Sequence, residues 1–179
     1  LPVDPRIGRM VLEASKQGAL KEVLVIASAL SVQDPRERPM DKQQAADQAH
    51  AVYVDEHSDF LTVVNLWNSY ESLRQELSQS QLRKHCQKSF LSFMRMREGR
   101  DIHRQLLLSC RQLGLKENSE SADYKEIHIS LLAGLLSHMG FRQENKEYLG
   151  ARNRRFHLFP ASALFKKPAK WIMAAELVE

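Results

Sequence analysis

A-L-S-V-Q-D-P-R-E-R-P, residues 29–39, is the stretch on which the rest of the chain hinges: an apolar helix end runs into two prolines interleaved with charges of both signs. Each proline removes a backbone donor and biases its predecessor toward extended geometry, so no helix continues past Asp34. Upstream, Leu20, Val23, Leu24, Ala27 and Leu30 recur at helical spacing. Before them Asp4 and Pro5 read as an N-cap and first-turn proline. Ile7, Met10, Val11 and Ala14 then form the stripe of a helix that stops at Gly18. Two helices joined at Gly18 therefore end in a fixed, charged connector.

Downstream there is no proline between Pro39 and Pro160. Apolar residues in that span keep the helical period. Phe60, Val63, Val64, Trp67 and Tyr70 follow a capping Ser58; Cys86, Phe90, Phe93 and Met94 form a second face; Ile102, Leu106, Cys110 and Leu113 form a third. Tyr124, Ile127, Leu131 and Leu135 belong to a helix expected to close at Gly140. Such faces bury themselves against one another, which predicts a helical bundle. After residue 140 the period changes. Residues 148–159 hold a polar Arg152-Asn153 turn between short extended runs, and residues 171–178 alternate, with Trp171, Met173, Ala175 and Leu177 on one side. The fold class is mainly α, followed by a few β-strands.

A length of 179 residues suits one domain or two small ones. Apolar residues at 43% and charged residues at 27% match ordinary globular proteins, which excludes disorder of the whole. The net charge of +4 permits a polyanionic partner without requiring one. Cys86 and Cys110 both fall on apolar helical stripes and read as reduced thiols of a cytoplasmic protein. Apolar runs such as residues 23–27 are far shorter than the roughly 18–20 residues that span a bilayer, and no signal-peptide pattern opens the chain, so no membrane partner is expected.

A nucleotide-hydrolysing motor needs a phosphate-cradling G-x-x-x-x-G-K-[ST] loop. Neither that loop nor a D-E-A-H tetrad occurs in the sequence, so the segment is expected to have no cofactor and no ATP site of its own. The histidines and cysteines lack the paired spacing of a zinc site, and no metal is expected. His85 beside Cys86 reads as the neighbour of a packing cysteine, and His57-Ser58-Asp59 as a helix start. No catalytic residue is assigned.

The positive charge is clustered. Arg83, Lys84, Lys88, Arg95, Arg97, Arg100 and Arg104 stand against Glu98 and Asp101. At about 100° per residue, Arg100, Arg104 and Arg111 share an arc of roughly 40°, a stripe able to follow a phosphate backbone. Taken singly, each is more simply a solvated cation. A second cluster comprises Arg152, Arg154, Arg155, Lys166, Lys167 and Lys170, with no acid between Glu147 and Glu176. Surrounding Phe156, His157 and Phe159, it suits single-stranded nucleic acid, whose phosphates meet cations and whose bases stack on aromatics. Alternation assigns Phe156 itself to the core. The candidate nucleic-acid contacts are therefore Arg97, Arg100, Arg104, Arg152, Arg154, Arg155, Lys166 and Lys167. Asp34, Arg36, Glu37 and Arg38, carrying both signs on a proline-fixed loop, are assigned to contacts between domains.

Q-D-P-R-E-R-P at residues 33–39, with L-P-V-D-P-R at residues 1–6, resembles the accessory region of DEAH-box ATP-dependent RNA helicases, specifically the bacterial HrpA group. H-S-D-F-L-T-V-V-N at residues 57–65, C-x3-F-L from Cys86 and D-I-x-x-Q-L at residues 101–106 are similar to the ratchet domain of those helicases. Phe159-Pro160 stands where many eukaryotic relatives have His-Pro, which favours the bacterial branch. The resemblance implies that residues 1–40 end a winged-helix domain begun upstream, that residues 41–140 form a ratchet or helicase-associated bundle, and that residues 141–179 open an incomplete OB-fold. It further implies that ATP and magnesium act in motor domains of the same polypeptide, while this segment lines a basic channel for single-stranded RNA, or DNA. Two other readings stay open. One is a helical protein-interaction module that docks on the motor domains without touching RNA. The other is a DNA-binding regulator with a helix-turn-helix near Gly18, for which Arg6, Arg9, Lys16 and Lys21 are few cations and no dimer seam is evident.

Overall fold

The computed structural model describes residues 4–178; Leu1, Pro2, Val3 and Glu179, and with them half of the L-P-V-D-P-R motif, lie outside the described residues. Among the described residues seven α-helices precede four short antiparallel strands, the mainly α class that the sequence predicts. The chain divides into two compact units, Leu1–Val23 with Leu113–Glu179, and Leu24–Gln112.

In the first unit, α1 (Pro5–Gln17) starts where the Asp4 carboxylate accepts the Arg6 N–H at 2.9 Å. It ends at Gly18, whose φ of 70° is the left-handed cap that glycine adopts without strain. Helix α7 (Tyr124–Leu135) packs against α1, with Met10, Val11 and Ala14 buried on one and Ile127, Leu131 and Leu135 on the other. The approach is closest at Gly134, where a Cβ would overlap the Arg6 carbonyl oxygen. Helix α2 (Leu20–Leu30) begins in this unit and continues into the other. Near its start the buried Glu22 carboxylate accepts Asn118 Nδ2–H at 2.8 Å and the Ala122 N–H at 3.0 Å, fixing the loop before α7.

Helix α7 does not reach Gly140. It stops at Leu135, a 3₁₀ turn covers Leu136–His138, and Gly140 lies inside strand β1 (Met139–Arg142). Strands β2 (Glu147–Gly150), β3 (Arg155–His157) and β4 (Trp171–Met173) complete a sheet of order β3-β2-β1-β4. Glycine is required at position 140 by packing: a Cβ there would stand 2.5 Å from Phe156 Cζ. Phe156 stacks on the fully buried Tyr148 with ring centroids 5.8 Å apart, as its assignment to the core anticipates. The hairpin turns place Asn145 and Lys146, then Arg152 and Asn153, at φ between 57° and 60°, the type I′ signature that suits strand twist. The expected alternation to Leu177 is cut short. Strand β4 ends at Met173, with Ala174 N–H bonded to the His138 carbonyl, and Ile172 is the residue that turns inward.

In the second unit, α3 (Gln43–His50), α4 (Asp59–Glu76), α5 (Gln79–Lys88) and α6 (Phe93–Gln112) follow the connector. Ser58 caps α4 through the Leu61 N–H, and Ser78 with Gln81 forms a capping box on α5. The core comprises Tyr53, Leu66, Tyr70, Leu82, Cys86, Leu91 and Met96. Two stripes read from the sequence are redrawn. Cys86 and Phe93 lie on separate helices, because α5 ends at Lys88 and Phe90 takes φ 55° to turn the chain. On α4 the buried residues are Thr62, Val64, Leu66 and Tyr70, whereas Phe60, Val63 and Trp67 are only partly covered. That helix carries apolar side chains around most of its circumference, so periodicity alone does not choose its inner side.

The connector is stitched to the α5–α6 turn by backbone pairing. Ser92 N–H donates to the Pro35 carbonyl at 2.7 Å, Glu37 N–H donates to the Phe90 carbonyl at 2.8 Å, and Arg95 donates to the Asp34 carbonyl at 3.0 Å. Its fixity thus comes from these bonds as well as from proline. Among the described residues no helix is long and apolar enough to cross a membrane.

Candidate nucleic-acid interface

On α6, Met96, Gly99, Leu106 and Cys110 turn to the core, and the arginines occupy one flank of the helix beside that buried face. Arg97, Arg100, Arg104 and Arg111 fall within roughly 60° of helix circumference at about 100° per residue. Their states differ. Arg97 is exposed and has no ion pair among the described residues. The Arg104 side chain is 72% exposed and, among the described residues, its ionic contact is one of 3.4 Å to Asp101. Arg100 is half-buried and donates from Nε to Glu71 Oε1 of α4, and Glu71 also accepts from Arg74. The arginine edge is therefore real, but Arg100 is partly neutralised.

The second cluster flanks the sheet. Arg152, Arg154, Lys166 and Lys167 are exposed and make no ion pairs among the described residues, whereas Arg155 donates to Glu147 at 2.9 Å. The segment carrying both lysines is tied back by Arg142 Nη1, which donates to the Pro168 carbonyl at 2.7 Å, and by the Tyr148 hydroxyl, which donates to the Ala169 carbonyl. His157 and Phe159 are exposed. The aromatic pair that the sequence does not reveal is Phe141–Trp171, with ring centroids 4.6 Å apart on the sheet face opposite Tyr148. Its signal is faint because β1 is four residues long and Gly140 breaks the alternating pattern.

Asp34, Arg36 and Arg38 find their ionic partners within the Leu24–Gln112 unit. Asp34 receives Arg36 at 2.8 and 3.1 Å, and Arg38 pairs with Asp47 of α3 at 2.8 and 3.0 Å. Burial acts to raise the Asp34 carboxyl, but the hydrogen bonds and charge of Arg36 outweigh it and hold the group below the usual carboxylate range. Glu37 contributes its backbone N–H. A groove of about 580 Å³ opens beside this connector, lined among others by Glu37, Lys42, Arg83, Phe93 and Met94. The Arg83 guanidinium lies 4.5 Å over the Phe93 ring. Burial pushes the Cys86 thiol up, which suits a packing residue and not a nucleophile.

A family model described as "Helicase associated domain (HA2), ratchet-like" matches residues 4–96, and one described as "Oligonucleotide/oligosaccharide-binding (OB)-fold" matches residues 127–179. The ATP-dependent RNA helicase HrpA of Escherichia coli (strain K12) is 56% identical over 180 residues, and an HrpA homolog of Haemophilus influenzae is 52% identical over 180 residues. Each alignment covers 100% of this chain, which spans 14% of either relative's length. By the extent of the first match, the chain belongs to the ratchet-like helicase-associated domain (HA2) family, with an OB-fold segment following.

Proposed function

We propose that this chain is an accessory nucleic-acid-guiding segment of an ATP-dependent RNA helicase and forms part of a basic channel for single-stranded RNA. The observation that supports it is a coincidence: an HA2 match over residues 4–96 and an OB-fold match over residues 127–179 occur in one chain, with one cluster of exposed cations on α6 between the two matches and a second inside the OB-fold match. Arg97 and Arg104 on α6, and Arg152, Arg154, Lys166 and Lys167 beside the sheet, are the primary phosphate contacts. Arg100 and Arg155 are secondary because Glu71 and Glu147 already engage them. Contacts of this kind position a strand without reading its sequence. ATP and magnesium belong, on this reading, to motor domains elsewhere in a longer cytoplasmic polypeptide, against which Asp34, Arg36, Glu37 and Arg38 dock.

The groove beside the connector favours a second reading, in which the segment docks on the motor domains without touching RNA. Salt dependence separates the two. In the full-length protein, R97Q with R104Q should weaken single-stranded RNA binding and reduce the slope of log affinity against log salt by about 1.4, at roughly 0.7 per lost phosphate contact. An unchanged slope and affinity would remove the channel reading. Loss of association with separately expressed motor domains, with RNA binding intact, would favour docking.

A further inference from the structure

We propose that Glu71 and Glu147 are internal competitors for phosphate, each balancing one arginine of a cationic cluster and so holding the strand's affinity below what the cations alone would give; this deepens the guiding role above and rests on it. The two carboxylates belong to separate units, and each engages one arginine of the cluster in its own unit.

Glu71 is built into a seam between α4 and α6. Trp67, one turn before it on α4, lies against His103, which follows Arg100 by about one turn on α6, with ring centroids 4.7 Å apart. That contact sets the spacing at which Glu71 meets Arg100. Glu71 uses both oxygens: Oε1 accepts Arg100 Nε–H and Oε2 accepts Arg74 Nε–H at 3.2 Å. Its side chain is 23% exposed. In the sheet, Glu147 is paired in register with His157 and accepts Arg155 Nη1–H at 2.9 Å, with 29% of its side chain exposed. Ion pairs sheltered in this way are screened less by salt and water than surface pairs. Asp101, which touches Arg104, is 53% exposed and belongs with the surface pairs.

A phosphate brings negative charge to the place that each glutamate already occupies. An arginine balanced beforehand releases few counterions when it meets a phosphate, and it adds little to affinity or to its salt dependence. Tighter binding is mostly slower release. A guide through which a strand must advance therefore works better with some of its cations withheld, and the two carboxylates withhold one arginine in each cluster.

The test uses the full-length protein and a fluorescent uridine 12-mer titrated at several salt concentrations. Glutamine keeps the shape of glutamate and one acceptor oxygen, so E71Q and E147Q remove charge and leave the packing. Each should steepen the slope of log affinity against log salt by about 0.7, one recovered phosphate contact, and tighten binding about 4-fold at about 0.15 M salt. E98Q is the control: Glu98 is exposed on α6 and has no ion pair among the described residues, so the net charge changes equally without freeing an arginine. Its slope should match the parent's, and E71Q combined with R100Q should give no gain over R100Q alone. Unchanged slopes in E71Q and E147Q overturn the proposal. An equal steepening in E98Q, or a gain by E71Q that survives R100Q, overturns it as well; in each of these cases the guiding role stands. Steepening at one glutamate alone supports the competitor there and overturns it at the other. If the unaltered protein shows no salt-dependent binding to the oligomer, the guiding role fails together with the competitors.

Discussion

The G134A substitution tests the helix pair that holds the first unit together. Inside a helix, glycine to alanine is ordinarily stabilising by about 1 kcal/mol, because alanine loses less backbone entropy on folding. Here the new Cβ would overlap the Arg6 carbonyl oxygen and stand 2.7 Å from Met10 Cγ. The Met10 side chain can yield, but the carbonyl belongs to the first turn of α1 and moves only with that helix. Relieving the overlap separates α1 from α7 by on the order of 1 Å, enough to loosen close-packed contacts. Overpacking of this kind costs about 1–3 kcal/mol, and because the closest overlap is with backbone the cost is expected in the upper half of that range, above the propensity gain. A cost of about 2–3 kcal/mol less the gain of about 1 kcal/mol leaves a net loss of about 1–2 kcal/mol, a fall in Tm of about 2–8 °C for a chain of this size. The control is G8A on α1, where a Cβ would meet nothing within 4 Å; it should be stabilising by about 0.5–1 kcal/mol. Thermal unfolding followed by far-ultraviolet circular dichroism reads both. A G134A variant as stable as the parent, or a G8A variant equally damaged, would refute the close approach.

Three further outcomes follow from the second unit and its connector. A double-mutant cycle with E71A and R100A should give a coupling of about 1 kcal/mol, at the upper end for partly exposed ion pairs; a coupling near zero in chemical denaturation would mean that Arg100 is free for RNA. The depressed Asp34 carboxyl stabilises the fold above its unfolded pKa of about 3.9, and that contribution is lost as pH falls through the lower folded value; D34N should flatten the acid limb of stability against pH, and an identical limb would exclude the effect. Cys86 and Cys110 are buried, so a thiol reagent should label them only on unfolding; rapid labelling of the native protein would contradict their packing.

Helix caps were legible because they are local: Asp4, Gly18 and Ser58 act where their residue types predict. The cationic edge of α6 was legible for the same reason, since helical spacing alone gathers Arg100, Arg104 and Arg111. What escaped depends on contacts distant in sequence. Gly140 resembles a helix stop until Phe156, sixteen positions later, is seen to need the space above it. The break at Phe90 is hidden because Cys86, Phe90 and Phe93 keep helical spacing while the chain turns between them. Neutralisation of Arg100 by Glu71 and of Arg155 by Glu147 also lies beyond any local pattern, and it separates strong from weak candidates within each cluster.

Photo-crosslinking of 4-thiouridine RNA to the full-length protein, with the modified peptides mapped by mass spectrometry, bears most directly on the guiding role. Crosslinks are predicted within residues 93–112 of α6 and within residues 141–171 around the sheet, competed away by unlabelled single strand. Crosslinks confined to the rest of the polypeptide, with none in either segment, would contradict it.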